Sequence, residues 1–227
     1  GVKKINLIGN LKFIENNKNK IDKIDKNLKL QFKKYKICVS ASTHKTEELF
    51  AAQTHILLKK KNKKFITILI PRHINRVNKI INELKTLKLN SICHSSKNKN
   101  LKNIDIYIVD TFGESKKFYK IATTVFLGGS IANKGGQNPL EPARYGAKIL
   151  HGPYVQNFTE VYSFLKSLKI SKEIKNPKEF AEQVIFKKNM TKVKKIKKIG
   201  EVIFKNTINE LDKRINYENK KTPVLGL

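Results

Sequence analysis

The segment FITILI, Phe65–Ile70, holds five large apolar side chains and one Thr, with no turn-forming residue. Six such residues match an ordinary strand length, and a strand apolar on both sides must be covered on both faces. That condition is met by a parallel sheet between layers of crossover helices. The remaining chain fits the requirement. KICVSAS (36–42), LNSICHS (89–95), IDIYIVD (104–110), TVFLGG (124–129) and AKILHG (147–152) read as strands. Helical periodicity fills the intervals: THKTEELFAAQTHILLKK from Thr43, with Ser42 or Thr43 as cap and Glu47 and Glu48 in its first turn; PRHINRVNKIINELKTLK, a turn that becomes a helix; TFGESKKFYKIA; a short helix from Asn138; and NFTEVYSFLKSLK. Residues 177–188 and 191–217 predict two more helices. About six strands over residues 36–170, in β-α-β-α order, define an α/β fold: a Rossmann-like, doubly wound parallel sheet flanked by helices.

Three regions follow. Residues 1–35 carry a short apolar stretch, INLIGNLKF, and then a Lys- and Asn-rich run, expected as an interdomain segment and linker. Residues 36–190 are expected to form the Rossmann-like domain, and 191–227 a C-terminal helical tail. In that tail Val193, Ile196, Ile199, Val202, Ile203, Ile208 and Leu211 recur at helical intervals opposite a largely Lys face, an amphipathic pattern that an anionic membrane surface also favours. Gly200 interrupts the stripe and is expected to mark a bend. The chain opens on Gly1, without a signal peptide or an apolar run near the eighteen or so residues of a membrane span, and is expected to be a piece of a longer or processed protein.

Lys and Arg number 48 against 18 Asp and Glu, a net charge of +30. A specific nucleic-acid surface is not expected, because only Arg72, Arg76, Arg144 and Arg214 offer the forked guanidinium that such surfaces favour, and Lys is spread over most polar positions. The charge instead concentrates small anions such as nucleotide-sugars, or acidic lipid headgroups. Cys38 and Cys93 fit no metal or redox spacing and are expected as buried free thiols. His44, His55, His94 and His151 show no ligand spacing and are expected to be structural; no metal site is implied.

In a doubly wound sheet, ligands bind beyond the carboxyl ends of the strands. Here those ends are SASTH, PRH, DTFGE, GGSIANKGGQNPLEP and HGPYVQNF. Thr111–Glu114 and Asn138–Glu141 each place a capping residue three positions before a Glu, the spacing of a capping box, with Pro139 expected at the first helical position. Two helix N-termini at one sheet edge, beside glycine pairs that admit a close approach, suit a phosphate.

GNLKF (9–13), SASTHKTEE (40–48), IPRHINR (70–76), DTFGE (110–114), FLGGS (126–130), GGQNPLEPA (135–143) and GPYVQNF (152–158) together resemble, in order, the C-terminal half of the transferases that attach 3-deoxy-D-manno-octulosonic acid (Kdo) to lipid A in lipopolysaccharide synthesis. The resemblance covers roughly residues 1–168. It implies the C-terminal domain of a GT-B glycosyltransferase that binds the donor substrate CMP-Kdo, with no cofactor. It also implies a lipid A precursor as acceptor, held with the catalytic Glu by an N-terminal domain outside this chain, at the cytoplasmic face of the bacterial inner membrane. No catalytic residue is expected here. Donor contacts are implied at Pro71, Arg72, His73, Phe112, Gly113, Glu114, Ser130, Gly136, Gln137, Asn138, Pro139, Leu140 and Glu141. Gly135 and Gly136, with Ser130, would line the sugar-phosphate pocket. Gln137 stands where the family pattern has His, and Phe112 where Met is common. A GT-B transferase using a UDP-sugar, or a non-catalytic basic module for a membrane surface or nucleic acid, are the alternatives.

Overall fold

The computed structural model of the chain describes residues 5–14 and 23–221. Residues 15–22 of the expected linker and the tail beyond 221 lie outside the described residues. The chain divides into two compact units: residues 21–192, and residues 1–20 together with 193–227.

The larger unit is built on seven parallel strands: β1 Lys36–Thr43, β2 Phe65–Pro71, β3 Ser91–Cys93, β4 Ile106–Ile108, β5 Thr124–Leu127, β6 Lys148–His151 and β7 Ser171–Glu173. Their spatial order is β3-β4-β2-β1-β5-β6-β7. Every residue of β2 is buried, as its apolar run requires. Phe65 and Leu69 point to one face, where α2 (Glu47–Lys61), α3 (Val77–Thr86) and α7 (Pro177–Gln183) pack with Ala51, Ala52, Leu58, Ile80, Leu84 and Phe180. On the other face Tyr107 meets Phe32 of α1 (Lys26–Phe32) at 5.2 Å and Phe118 of α4 (Ser115–Tyr119) at 5.9 Å between ring centroids. Burying each such ring or branched chain contributes about 1.5–3 kcal/mol, so neither helix layer is dispensable.

The strand absent from the sequence reading is β7. It is three residues long, Ser-Lys-Glu, lies at the sheet edge and exposes two of them, so it lacks the apolar signal of the other strands. The sheet-bearing unit also reaches back to α1, which caps on Asp25 and buries Leu28 and Phe32. Helix α2 begins later than expected, and neither Ser42 nor Thr43 caps it. Ser42 instead sits in an irregularity of the β1–β2 register with φ +54°. The helix expected over 177–188 stops at Gln183, because Thr123 and Thr124 at the head of β5 both donate to the Ile185 carbonyl and hold that segment extended. Cys38 is buried, while Cys93 at the sheet edge is only half-buried.

Helix α5 spans Leu140–Ala143 and α6 Thr159–Ser167; α8 runs from Met190 to Lys221 without interruption. Gly200 therefore does not break the helix. Within the smaller unit the Phe13 carbonyl lies against it so closely that a Cβ would overlap the oxygen, and an Asn6–Glu210 hydrogen bond of 2.7 Å holds the same segment to the helix. No described helix is long and apolar enough to cross a membrane.

Candidate functional site

Strand β1 pairs with β2 on one side and β5 on the other, so the chain winds outward in both directions from the β1–β5 pair. The crevice beyond the carboxyl ends of these strands is the topological switch point, where an open α/β sheet receives its ligand. Thr43-His44, Pro71-Arg72-His73 and Gly128–Glu141 all emerge there. Asp110–Glu114 follows β4, beside β2.

The glycine loop is organised by a buried carboxylate. Glu47, the first residue of α2, is fully buried and accepts five backbone N–H groups: His44 (2.9 Å), Gly129 (2.8 Å), Ser130 (3.1 Å), Ile131 (2.9 Å) and Ala132 (3.2 Å). Gly128 is required beneath it, since a Cβ there would overlap the Ser42 carbonyl and stand 2.7 Å from the Glu47 carboxylate. Lys134 and Gly136 then donate their amides to the Gly129 carbonyl and close the loop on itself. The amides of residues 129–132 are thus directed inward to Glu47, and those of Lys134 and Gly136 to the Gly129 carbonyl.

The two expected capping boxes do not form. Glu114 is itself the residue before α4 and pairs with Lys117 at 2.6 Å, while the Thr111 hydroxyl is buried without a partner. Asn138 accepts from the Leu140 amide at 3.0 Å, but Glu141 faces Lys116 at 3.8 Å rather than returning to Asn138. Pro139 precedes α5 instead of opening it. Helices α4 and α5 have five and four residues, too few for a substantial dipole, so their N-termini are not the source of positive potential. Ser130 also departs from expectation. Its hydroxyl donates to the Leu127 carbonyl at 2.6 Å and accepts from the Gly152 amide at 2.8 Å, and the residue has no exposed surface. It stitches the ends of β5 and β6 together and does not line a pocket.

Side chains provide the positive potential. Arg72 and His73 are exposed, and among the described residues the Arg72 guanidinium has no acidic partner. Its backbone is fixed, because Pro71 ends β2, the Arg72 amide donates to the Thr43 carbonyl at 2.9 Å, and Arg76 pairs with buried Glu48 at 2.6 Å. Burial pushes the Glu48 carboxyl above its usual range against the pull of Arg76. His44 lies 5.5 Å from His73 between ring centroids and packs beside Gly129. Burial holds its ring below the usual His range, with the charges of His73, Lys134 and Arg72 adding to the effect and Glu47 opposing it. Lys134 of the glycine loop is exposed, near enough for its charge to act on His44.

The other implied residues frame that cluster. Phe112 is exposed over 76% of its surface, at the end of β4 beside exposed Gly113. Lys116 and Lys117 of α4 face Glu141 of α5 and Glu114, so both acidic residues meet lysines of one helix. Gln137 is half-buried near Gly129, with its carbonyl bonded by Tyr162 at 3.1 Å; Gly136, Pro139 and Leu140 are buried. Of the histidines expected to be structural, His55 bridges Thr67 and Asp105, and His151 bonds the Gly152 carbonyl. His94 reaches the site edge, bonding Tyr107 at 2.6 Å with Glu114 at 3.6 Å. Sequence reasoning missed Glu47, His44, Lys116, Lys117 and Lys134 as members of this region. Among the described residues no three His, Cys, Asp or Glu side chains converge to hold a metal.

No protein-family model matches the chain. It is 30% identical over 183 residues to a 3-deoxy-D-manno-octulosonic acid transferase of Haemophilus influenzae, covering 80% of this chain and 43% of that protein. It is 32% identical over 210 residues to the Rickettsia prowazekii protein of the same name, covering 91% of this chain and 44% of the relative. The chain therefore spans less than half the length of these curated relatives. Among solved structures, the C-terminal CMP-Kdo binding domain of WaaA from Acinetobacter baumannii superposes with a TM-score of 0.64 at 19% identity, over 80% of this chain and 96% of that one. The chain is thus a relative of the 3-deoxy-D-manno-octulosonic acid transferases, alike in sequence over about four fifths of its length, and alike in fold to the C-terminal CMP-Kdo binding domain of WaaA.

Proposed function

We propose that this chain is the donor-binding domain of a GT-B Kdo transferase, taking CMP-Kdo into the crevice at the β1–β5 switch point. The observation that carries the reading is the cluster of Arg72, His73, Lys134 and His44 at that crevice, in a chain related to transferases of this name. Arg72 neutralises the donor's phosphate or the Kdo carboxylate with a forked hydrogen bond. The exposed Phe112 ring offers a face to the base beside the Gly113 backbone, and Glu141 and Glu114, aligned by Lys116 and Lys117, accept ribose hydroxyls. Gln137 donates or accepts a hydrogen bond but carries no charge.

In the complete enzyme a hydroxyl of the lipid A precursor attacks the anomeric carbon of Kdo while an N-terminal Glu takes its proton and CMP departs. The cationic cluster then stabilises charge growing on the leaving phosphate, an interaction stronger in the transition state than in the ground state. The setting proposed for that reaction is the cytoplasmic face of the inner membrane.

Titration calorimetry of the 227-residue chain at moderate salt tests the donor assignment. CMP is expected to bind more tightly than UMP. Equal affinities remove CMP-Kdo as donor and leave a transferase for another nucleotide-sugar; binding of neither overturns the reading.

A further inference from the structure

The imidazoles of His55, His94 and His151 each have a ring nitrogen bonded within the protein. His44 differs. Its Nε2 is shielded from solvent and has no partner, and the hydroxyls of Thr43 beside it and Thr111 at the end of β4 are likewise buried and unpartnered. A buried polar atom without a partner is costly, so unpartnered atoms at the carboxyl ends of β1 and β4, on either side of the end of β2, mark a place finished by a ligand.

The charges facing His44 define that ligand. From the segment after β2 come Arg72 and His73, from the glycine loop Lys134, and from α2 Glu47. Glu47 is the single acid among them, and its oxygens already accept five backbone amides, one from His44 itself. With cations pressing on it and burial favouring the neutral form, the ring stays uncharged until an anion enters.

We propose that His44 is a direct ligand of the donor's anionic group, its Nε2–H donating to a phosphate or carboxylate oxygen, and that anion binding brings one proton from solvent onto this ring. The new N–H bond forms as the buffer gives up a proton; no other bond changes. The inference rests on the donor reading of the same crevice and adds to it a residue and a proton.

The test uses the wild-type chain and three probes: sulfate, whose charge is fixed across neutral pH, CMP, and free Kdo. Ring signals of His44, assigned with the His44→Gln and His73→Gln variants, are followed by NMR at pH 7. Saturating sulfate is expected to convert the His44 ring from neutral to imidazolium. Sulfate affinity should weaken toward tenfold per pH unit above neutrality, and His44→Gln should flatten that slope. Conversion by CMP assigns the ligand atom to phosphate, and conversion by Kdo alone assigns it to carboxylate. A His44 ring that remains neutral at saturation with all three overturns the proposal, by a measurement on wild type that does not depend on the variant folding. If CMP binds and the ring stays neutral, the donor reading survives without this inference. If sulfate protonates the ring and CMP does not bind, the anion ligand stands and the donor reading falls.

Discussion

Glu47 shows how one side chain sets the shape of a site without facing it. In sequence it is an acidic residue in the first turn of a helix, which the helix dipole explains sufficiently. In the fold it is wholly buried, and its two oxygens fasten the glycine loop to the end of β1. Nothing in the local pattern separates these roles, because the loop amides that Glu47 binds lie more than eighty positions away. His44 was hidden for the same reason: its neighbours come from three different segments. Arg72 and Phe112 were legible through the resemblance, since they fall within its motifs IPRHINR and DTFGE at the ends of apolar strands. Replacing Glu47 with Gln keeps the volume but turns an amide N–H₂ toward backbone donors. The expected loss is about 3–5 kcal/mol, the scale for breaking a buried charged arrangement, or a fall in Tm on the order of 10 °C. CMP binding should weaken with it. Thermal unfolding of the variant checks this, and an unchanged Tm would mean that the loop is held by other contacts.

Among the elements, the strands with continuous apolar runs were legible and the polar one was not. FITILI and TVFLGG announce themselves because both faces are buried, whereas β7 exists only because β6 offers it an edge. Helix ends were the least legible feature, since the capping pattern at Thr111–Glu114 is overridden by Lys117, while Asn176 caps α7 through the Glu179 amide at 2.9 Å. The joint between α2 and the sheet is a polar node. Asp105, just before β4, accepts from Lys59 and His55 of α2 and from the Asn90 amide, and His55 also meets Thr67 of β2. Burial pulls the Asp105 carboxyl upward, but these partners prevail and hold it well below the usual range; burial holds His55 below the usual His range. Both shifts have the same consequence. The unfolded chain protonates His55 below about pH 6.5 and Asp105 below about pH 4 more readily than the folded chain does, so stability falls on acidification through both windows. Asp105→Asn should lower stability at neutral pH and abolish the part of the decline below about pH 4. Denaturant unfolding between pH 3 and 8 checks it, and an acid limb as steep as that of wild type would count against Asp105 as its source.

At the scale of the whole molecule the net charge of +30 attracts anions of every kind, and the question is which of them the fold selects. Lys is distributed over the surface, whereas the crevice gathers a few cations around buried, unpartnered polar atoms. A diffuse positive surface binds a polyanion by releasing its counterions, and that attraction is lost steeply with salt. A small ligand held by directed hydrogen bonds in a partly desolvated crevice depends on salt far less. Two titrations therefore separate general charge from the site. Duplex DNA should bind without sequence preference, and if it engages six or more phosphates its affinity should drop about a thousandfold or more between roughly 50 and 200 mM salt. CMP affinity over the same interval should fall by less than about tenfold, since only one phosphate is involved. Fluorescence anisotropy with labelled DNA of two unrelated sequences, alongside CMP calorimetry at both salt concentrations, provides the comparison. Sequence-selective DNA binding that persists at the higher salt would make nucleic acid the ligand, and a CMP affinity as salt-sensitive as that for DNA would reduce the crevice to one more patch of a basic surface.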